Sequence, residues 1–184
     1  MIFLYSLALG VLLGYALRGR LSGLTALQLR GLWLVLVSLA IQLLIFPLFA
    51  SEPIVPYGTA VLHGISYGLV VLWLVLNLRI RPLLAIGAGA VLNLAVVLAN
   101  GGFIPASVSA LRGSGLHGVA EIVARGQTYG NLVLMDSTTR LNFLGDVIPL
   151  PSWLPFAAAI SAGDVLIMAG IVWLVAAGMR SRRG

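Results

Sequence analysis

The sequence predicts an all-α membrane protein with five transmembrane helices, and three observations lead to this fold class. Of its 184 residues, 60% are hydrophobic and 9% are charged, and the mean hydropathy is +1.09. The chain has five apolar stretches of about the length that crosses a bilayer. Its arginines are clustered between these stretches. A chain this apolar has too little polar surface to form a soluble globule.

The five predicted spans form a single transmembrane domain covering residues 1–184. No basic residue precedes the first apolar run, so we expect this helix to be retained and not cleaved as a signal peptide. The third and fourth spans are joined only by the short segment 79–82, which predicts a tight antiparallel hairpin. Gly10 and Gly14, like Ala85 and Gly89, have the spacing of small residues between closely packed helices. The predicted spans are residues 2–17, 32–48, 59–78, 83–99 and 155–179.

The arginines predict how the chain is oriented. Eight of the eleven follow the first, third or fifth span, and no acidic residue accompanies them. Because cytoplasmic loops carry the excess of basic residues, we expect the N-terminus outside and the C-terminus in the cytoplasm. Glu52, Glu121, Asp136 and Asp146 then lie on the outer side. We expect this protein in a bacterial plasma membrane, with the lipid bilayer as a partner and no nucleic acid. The eight residues are Arg18, Arg20, Arg30, Arg79, Arg81, Arg180, Arg182 and Arg183.

The long connection 100–154 is extracytoplasmic in this orientation and is too long to lack structure. Within it, Leu116 to Arg125 has an apolar helical face opposite a charged one, which predicts an amphipathic helix at the membrane interface. Residues 138–143 alternate between apolar and polar side chains in the manner of a strand. Prolines then predict an extended approach to the fifth span. They are Pro149, Pro151 and Pro155.

Two acidic residues are the main candidates for chemistry. Asp164 lies about nine residues inside the predicted fifth span, where an ionisable side chain marks a functional site by default. Asp146 precedes it by eighteen residues, and the proline-rich segment between them can fold back over the outer end of the span. Two adjacent carboxyls share a proton and can activate water against an amide carbonyl. The alternatives are a turn-capping Asp146, and an Asp164 that fixes helix packing or lies nearer the helix start.

The segments around these acids resemble the C-terminal half of the lipoprotein signal peptidases, also called signal peptidase II. They are Phe143-Leu144-Gly145-Asp146-Val147-Ile148 and Ser161-Ala162-Gly163-Asp164-Val165-Leu166-Ile167. The resemblance implies that Asp146 and Asp164 form the catalytic dyad of an aspartic peptidase on the extracytoplasmic side. The second to fifth spans would correspond to that family's four helices. Its Gly-Asn-x-x-Asp-Arg motif has two candidate counterparts here, Asn100 and the Gly130-Asn131 segment.

The same segments, together with Asn100-Gly101-Gly102, identify the chain as a member of a group of uncharacterised bacterial membrane proteins. That group carries Asn-Gly-Gly, Leu-Gly-Asp-x-Ile-Pro and Ser-x-Gly-Asp segments, and membership in it implies no particular activity.

Three further residues are candidates for binding substrate. His63 and Tyr67 lie four residues apart on one face near the outer end of the third span, and Asn100 follows the fourth span. Their alternative roles are hydrogen bonding between helices, interfacial aromatic anchoring and termination of a helix. The chain has no cysteine and two histidines, and we expect neither a metal nor another cofactor.

The sequence thus leads to two hypotheses about function. In the first, the protein is an aspartic endopeptidase that cleaves a membrane-tethered peptide, lipidated or not, at the extracytoplasmic face. In the second, it is a noncatalytic membrane subunit or a protein that binds a lipid or small molecule, and Asp164 organises the helices.

Overall fold

The computed structural model describes residues 2–46 and 54–181, and the chain is mostly helical there. The predicted end of the second span at Leu48, together with Glu52, Arg182 and Arg183, lies outside the described residues. The helices are α1 (Phe3–Ala16), α2 (Leu32–Ile45), α3 (Thr59–Leu76), α4 (Pro82–Ala99), α5 (Val108–Gly113), α6 (His117–Ala124) and α7 (Ala162–Arg180). Four short strands accompany them, β1 (Ile104–Ala106), β2 (Leu132–Leu134), β3 (Ile148–Pro149) and β4 (Ala159–Ile160).

Three of these helices, α3, α4 and α7, are long and apolar enough to cross a membrane, and they indicate a membrane protein. The helices α1 and α2 are also apolar but have 14 residues each. The prediction that the last span begins at Pro155 is wrong, because α7 begins only at Ala162. Turns and β4 occupy the preceding residues, and Ser161 caps the helix.

Close packing of α7 against α1 and α4 holds the bundle together, and α3 packs between α4 and α2. A Cβ atom built on Gly10 would lie 2.8 Å from Cβ of Val175, and one on Gly89 would lie 2.8 Å from Cγ1 of Ile167. Real side chains do not fit at such distances, so these glycines let the helix backbones approach each other. The prediction that small residues mark close helix contacts is confirmed at these two positions.

The segment between α4 and α7, called the external segment here because it lies outside the long helices, forms a small layered unit that the all-α prediction missed. Its strands make two sheets, one in which β1 pairs in parallel with β2 and one in which β3 pairs in antiparallel with β4. The predicted amphipathic helix is present as α6, with an exposed Glu121–Arg125 ion pair of 3.8 Å. Its apolar face packs into a cluster within this unit. The cluster comprises Ala106, Ala110, Leu111, Ala120, Val123 and Ala159.

The predicted strand over residues 138–143 is wrong. The chain bends there and then forms a 3-10 turn at Asn142–Leu144. The Asp136 carboxylate accepts hydrogen bonds from the backbone N–H and the hydroxyl of Thr138, each at 2.7 Å, and these bonds lower the pKa of this exposed acid. Such local bonds from side chain to backbone favour turns over strands.

The two ends of the bundle differ in charge. Arg20 N–H donates to the Met179 carbonyl oxygen at 2.8 Å, which brings the end of α1 to the end of α7. Asn77 binds both backbone groups of Arg30, which brings the chain before α2 to the end of α3. The described arginines among the eight therefore gather at one end, and the external segment with Asp164 lies at the other.

Candidate functional site

The β3–β4 ribbon brings Asp146 to the start of α7. In this ribbon Ile148 pairs with Ile160 and Pro149 pairs with Ala159. Asp146 precedes β3 by two residues and α7 begins two residues after β4, so the paired strands hold Asp146 near the start of α7. Asp164 is in the same helical turn, and its charge acts on the Asp146 carboxyl. The structure therefore places the two acids that the sequence singled out within range of each other's charge.

The backbone of Asp146 is fixed on the open edge of β1. Its N–H donates to the Pro105 carbonyl oxygen at 2.9 Å, and its carbonyl oxygen accepts from Ser107 N–H at 3.0 Å. A Cβ atom on Gly145 would collide with that same Pro105 oxygen. The Leu-Gly-Asp segment thus needs glycine before the acid so that the chain can lie this close to β1.

Asp146 is a largely buried residue whose carboxyl accepts no hydrogen bond from the residues that the structure describes. Only 8% of the residue is exposed. Burial, and then the charge of Asp164, raise the pKa of Asp146 to about 8. Asp146 therefore keeps its proton at neutral pH and is a carboxylic acid that can donate it.

Asp164 has the opposite surroundings, because its carboxylate accepts several hydrogen bonds. It is the third residue of α7 and forms a capping box with Ser161. Its Oδ2 accepts from the N–H of Ser161 at 3.0 Å and from the Ser161 hydroxyl at 2.8 Å. The sequence placed Asp164 deep inside a helix, which is wrong because α7 starts later. The alternative of a later helix start is confirmed, and a hydrogen bond from α4 also fits the alternative in which Asp164 fixes helix packing.

Asn93 of α4 connects this cap to the neighbouring helix. Its Nδ2 donates to Oδ1 of Asp164 at 3.0 Å, and its Oδ1 lies 2.9 Å from the Ser161 hydroxyl, whose single proton is shared between Asn93 and Asp164. The Asn93 side chain occupies the space that a Cβ atom on Gly163 would need. The sequence reasoning missed Asn93 as a site residue. The only feature of the sequence that could have pointed to Asn93 is that it is a polar residue within an apolar span.

Tyr67 of α3 is the predicted substrate-binding residue that the structure places nearest the acids. Its side chain is half-buried, interacts with Asn93, and lies within range of the charges on Asp146 and Asp164. The Tyr67 hydroxyl therefore belongs to a cluster of polar side chains. The other members are Asn93 of α4, Asp164 of α7 and Asp146, which precedes β3.

His63 lies one helical turn before Tyr67 in α3, and its ring packs against the Tyr67 ring. Its ring centroid is 5.2 Å from that of Tyr67 and 4.9 Å from that of Phe46. Its Nδ1 is 2.7 Å from the carbonyl oxygen of Gly102. Because a carbonyl oxygen only accepts, Nδ1 carries the proton and Nε2 is the acceptor in the neutral ring. The predicted role of His63 in substrate binding stays a prediction.

Asn100 is the C-cap of α4, as the helix-stop interpretation predicted. Its amide is bound to backbone groups, with Nδ2 donating to the carbonyl oxygens of Val96 and Arg140 at 2.9 Å each and Oδ1 accepting from Arg140 N–H at 2.8 Å. To bind a substrate, Asn100 would have to release the Arg140 segment. Its predicted role in substrate binding stays a prediction.

The arrangement is suited to proton transfer. Asp146 holds a proton, and one lone pair on Oδ1 of Asp164 is left after the bond from Asn93, so the two acids differ in what they can give and accept. In residues 2–46 and 54–181, no group of three or more acids and histidines is placed to hold a metal ion.

Comparison with known proteins gives one match. Residues 26–176 match the family of unknown function DUF5317, and this range includes Asp146, Asp164, Asn93, Tyr67, the helices α2 to α6 and most of α7. No curated protein and no solved structure matches the chain. The resemblance to the lipoprotein signal peptidases therefore stays a prediction from the motifs.

Proposed function

This chain belongs to the DUF5317 family of unknown function, and we propose that it is a membrane-embedded aspartic endopeptidase whose catalytic residues are Asp146 and Asp164. The observation that carries this proposal is the meeting of two carboxyls with different surroundings. Asp146 is largely buried and its carboxyl accepts no hydrogen bond from the described residues, whereas the Asp164 carboxylate accepts hydrogen bonds from Ser161 and Asn93. Pairs of titratable groups set apart in this way divide the roles of acid and base.

The reaction follows from those surroundings. A water molecule between the acids gives a proton to Asp164 while its oxygen attacks the carbonyl carbon of a peptide bond. Asp146 donates its proton to the carbonyl oxygen, and a tetrahedral intermediate forms. Collapse of that intermediate breaks the C–N bond as a proton passes to the leaving nitrogen, and the pair returns to one shared proton. The Tyr67 hydroxyl provides a further hydrogen bond to the substrate.

We place the site at the extracytoplasmic surface of a five-span protein in a bacterial plasma membrane. The charge difference between the ends of the bundle supports this orientation, because basic residues favour the cytoplasm. The helices α1 and α2 are the two additional spans. At about 1.5 Å per residue, their 14 residues each measure roughly 21 Å, so flanking apolar residues must complete the crossing.

A membrane-tethered peptide, lipidated or not, is the substrate that suits this position. The loop between β3 and β4 exposes Trp153 and Phe156 next to the start of α7. The Tyr5 hydroxyl at the outer end of α1 donates to the carbonyl oxygen of Pro155 in that loop. Aromatic side chains at this level favour the membrane interface, where a tethered peptide would lie.

The capping box supports a second candidate, a noncatalytic membrane subunit or a lipid-binding protein. Every hydrogen bond of Asp164 in the described structure also stabilises the start of α7 or its packing on α4. In this account Asp164 organises the bundle and performs no chemistry.

One experiment separates the two candidates. The full chain is reconstituted into liposomes with a library of membrane-anchored reporter peptides, and released fragments are identified by mass spectrometry. The peptidase proposal expects release by the unaltered protein and none by Asp146→Asn, with the control Asp136→Asn fully active and all three proteins folded. Release by Asp146→Asn at the unaltered rate would exclude the dyad. If none of the three proteins releases a fragment from any peptide of the library, the result would favour the noncatalytic subunit.

A further inference from the structure

A cleft of about 780 Å³ opens at the arginine end of the bundle, far from the acid pair. The C-terminal end of α1, the 3-10 turn Leu21–Ala26 and the last turn of α7 form its walls. Polar and basic side chains dominate the lining. They are Arg18, Arg20, Arg180, Ser22, Thr25 and Ser181.

The three arginines of this cleft are exposed and have no acidic partner in the part of the chain that the structure describes. The ion pair found there joins Glu121 to Arg125 in the external segment. The remaining described acids, Asp136, Asp146 and Asp164, also lie at the external end. The cleft therefore carries three positive charges that no side chain within residues 2–46 and 54–181 neutralises.

Direct contact between backbones fixes two walls of the cleft against each other. Arg20 N–H donates to the carbonyl oxygen of Met179 at 2.8 Å. A Cβ atom on Gly19 would lie 2.9 Å from Cβ of Met179, and one on Gly23 would lie 2.6 Å from the carbonyl oxygen of Gly178. Because these contacts leave no room for side chains, the turn stays against α7 and the arginines surround a preformed space.

We propose that this cleft binds a phosphate group, and specifically the headgroup of an anionic phospholipid. The planar guanidinium matches phosphate oxygens with two parallel hydrogen bonds, and three of them around one space favour a polyvalent oxygen anion over a single carboxylate. Basic clefts between helices at the cytoplasmic surface face the leaflet that carries anionic lipid. The proposal is independent of the peptidase, because it involves none of the site residues.

The test measures binding to the full-length protein in an uncharged detergent by titration calorimetry. The probes are dioctanoyl phosphatidylglycerol, dioctanoyl phosphatidylcholine and inorganic phosphate. Arg18→Lys keeps the charge and the orientation signal but removes the planar fork, and Arg180→Gln removes one charge from the cleft. The matched control is Arg81→Gln, because Arg81 is exposed at the same end but does not line the cleft.

We expect saturable binding of phosphatidylglycerol and none of phosphatidylcholine. Arg18→Lys and Arg180→Gln should each weaken it by about tenfold or more, since a hydrogen bond to a charged group contributes that much. Arg81→Gln should stay within about twofold of the unaltered protein. Equal binding of inorganic phosphate would support the phosphate site and assign it to a soluble ligand. Equal binding of phosphatidylcholine, or an equal loss in Arg81→Gln, would overturn the proposal.

Discussion

Asp146 lies beside the first turn of α7, where its carboxyl interacts with that of Asp164, although eighteen residues separate the two positions in the sequence. The β3–β4 ribbon accounts for this proximity. Because β3 and β4 are antiparallel, the start of α7, which follows β4, lies near Asp146, which precedes β3. The ribbon also gives the two acids unequal surroundings. Asp146 is largely buried near the charge of Asp164, whereas the Asp164 carboxylate accepts hydrogen bonds from Ser161 and Asn93.

The two acids should differ in their effect on stability. Asp146→Asn removes a buried carboxyl that accepts no hydrogen bond from the described residues, so the melting temperature should stay or rise. Asp164→Asn weakens a capping box, which should cost about 1 kcal/mol. Thermal unfolding in detergent, with Asp136→Asn as the control, checks the order. A larger loss in Asp146→Asn than in Asp164→Asn would contradict the description of the site.

Stability should depend on pH through Asp146. Its folded-state pKa of about 8 is above the unfolded value of about 3.9, so the folded state binds the proton more tightly. The contribution of this group is therefore largest below about pH 4, declines as the pH rises to about 8, and is constant above that. Melting temperatures from pH 4 to pH 9 should show this decline in the unaltered protein and a smaller one in Asp146→Asn. Identical slopes would contradict the burial of this acid.

The contact between α4 and α7 that positions Asn93 should not tolerate a larger residue. In Gly89→Ala, the new methyl group would lie 2.8 Å from Cγ1 of Ile167 and would also meet the Gly163 backbone, so overpacking should cost about 1–3 kcal/mol. Gly68→Ala in α3 is the matched control, because a Cβ atom there meets nothing within 4 Å. Thermal unfolding of both variants is the measurement. Equal melting temperatures would mean that α4 and α7 do not touch at Gly89.

Tyr67→Phe should reduce peptide cleavage without unfolding the protein. The variant keeps the ring that packs on His63 and removes the hydroxyl near Asn93 and the two acids. Loss of one hydrogen bond to the reacting group should lower kcat/KM by about tenfold. Tyr129→Phe, in the external segment, is the control. An unchanged kcat/KM in Tyr67→Phe would remove this hydroxyl from the site.

The sequence predicted some parts of this molecule better than others, for physical reasons. Apolar length marked α3 and α4 almost to the residue, since a helix in lipid needs an unbroken apolar run. The start of α7 was misplaced because apolar residues of the preceding loop and β4 resemble a helix by composition. The role of Asp164 as a cap depends on where that helix starts. The contact of Asn93 with Asp164 depends on the packing of α4 against α7. The pattern of apolar residues within a single helix does not indicate which other helix it packs against.

The most direct test of the acid pair is an infrared measurement of carboxyl protonation in the unaltered protein. The account predicts a carboxylic acid C=O band at pH 7 that disappears as the pH is raised through about 8, that is absent in Asp146→Asn and that is retained in Asp136→Asn. Spectra at pH 7 in which the unaltered protein and Asp146→Asn have the same carboxylic acid absorption would contradict it. Asp146 would then be ionised at neutral pH and could not serve as the proton donor.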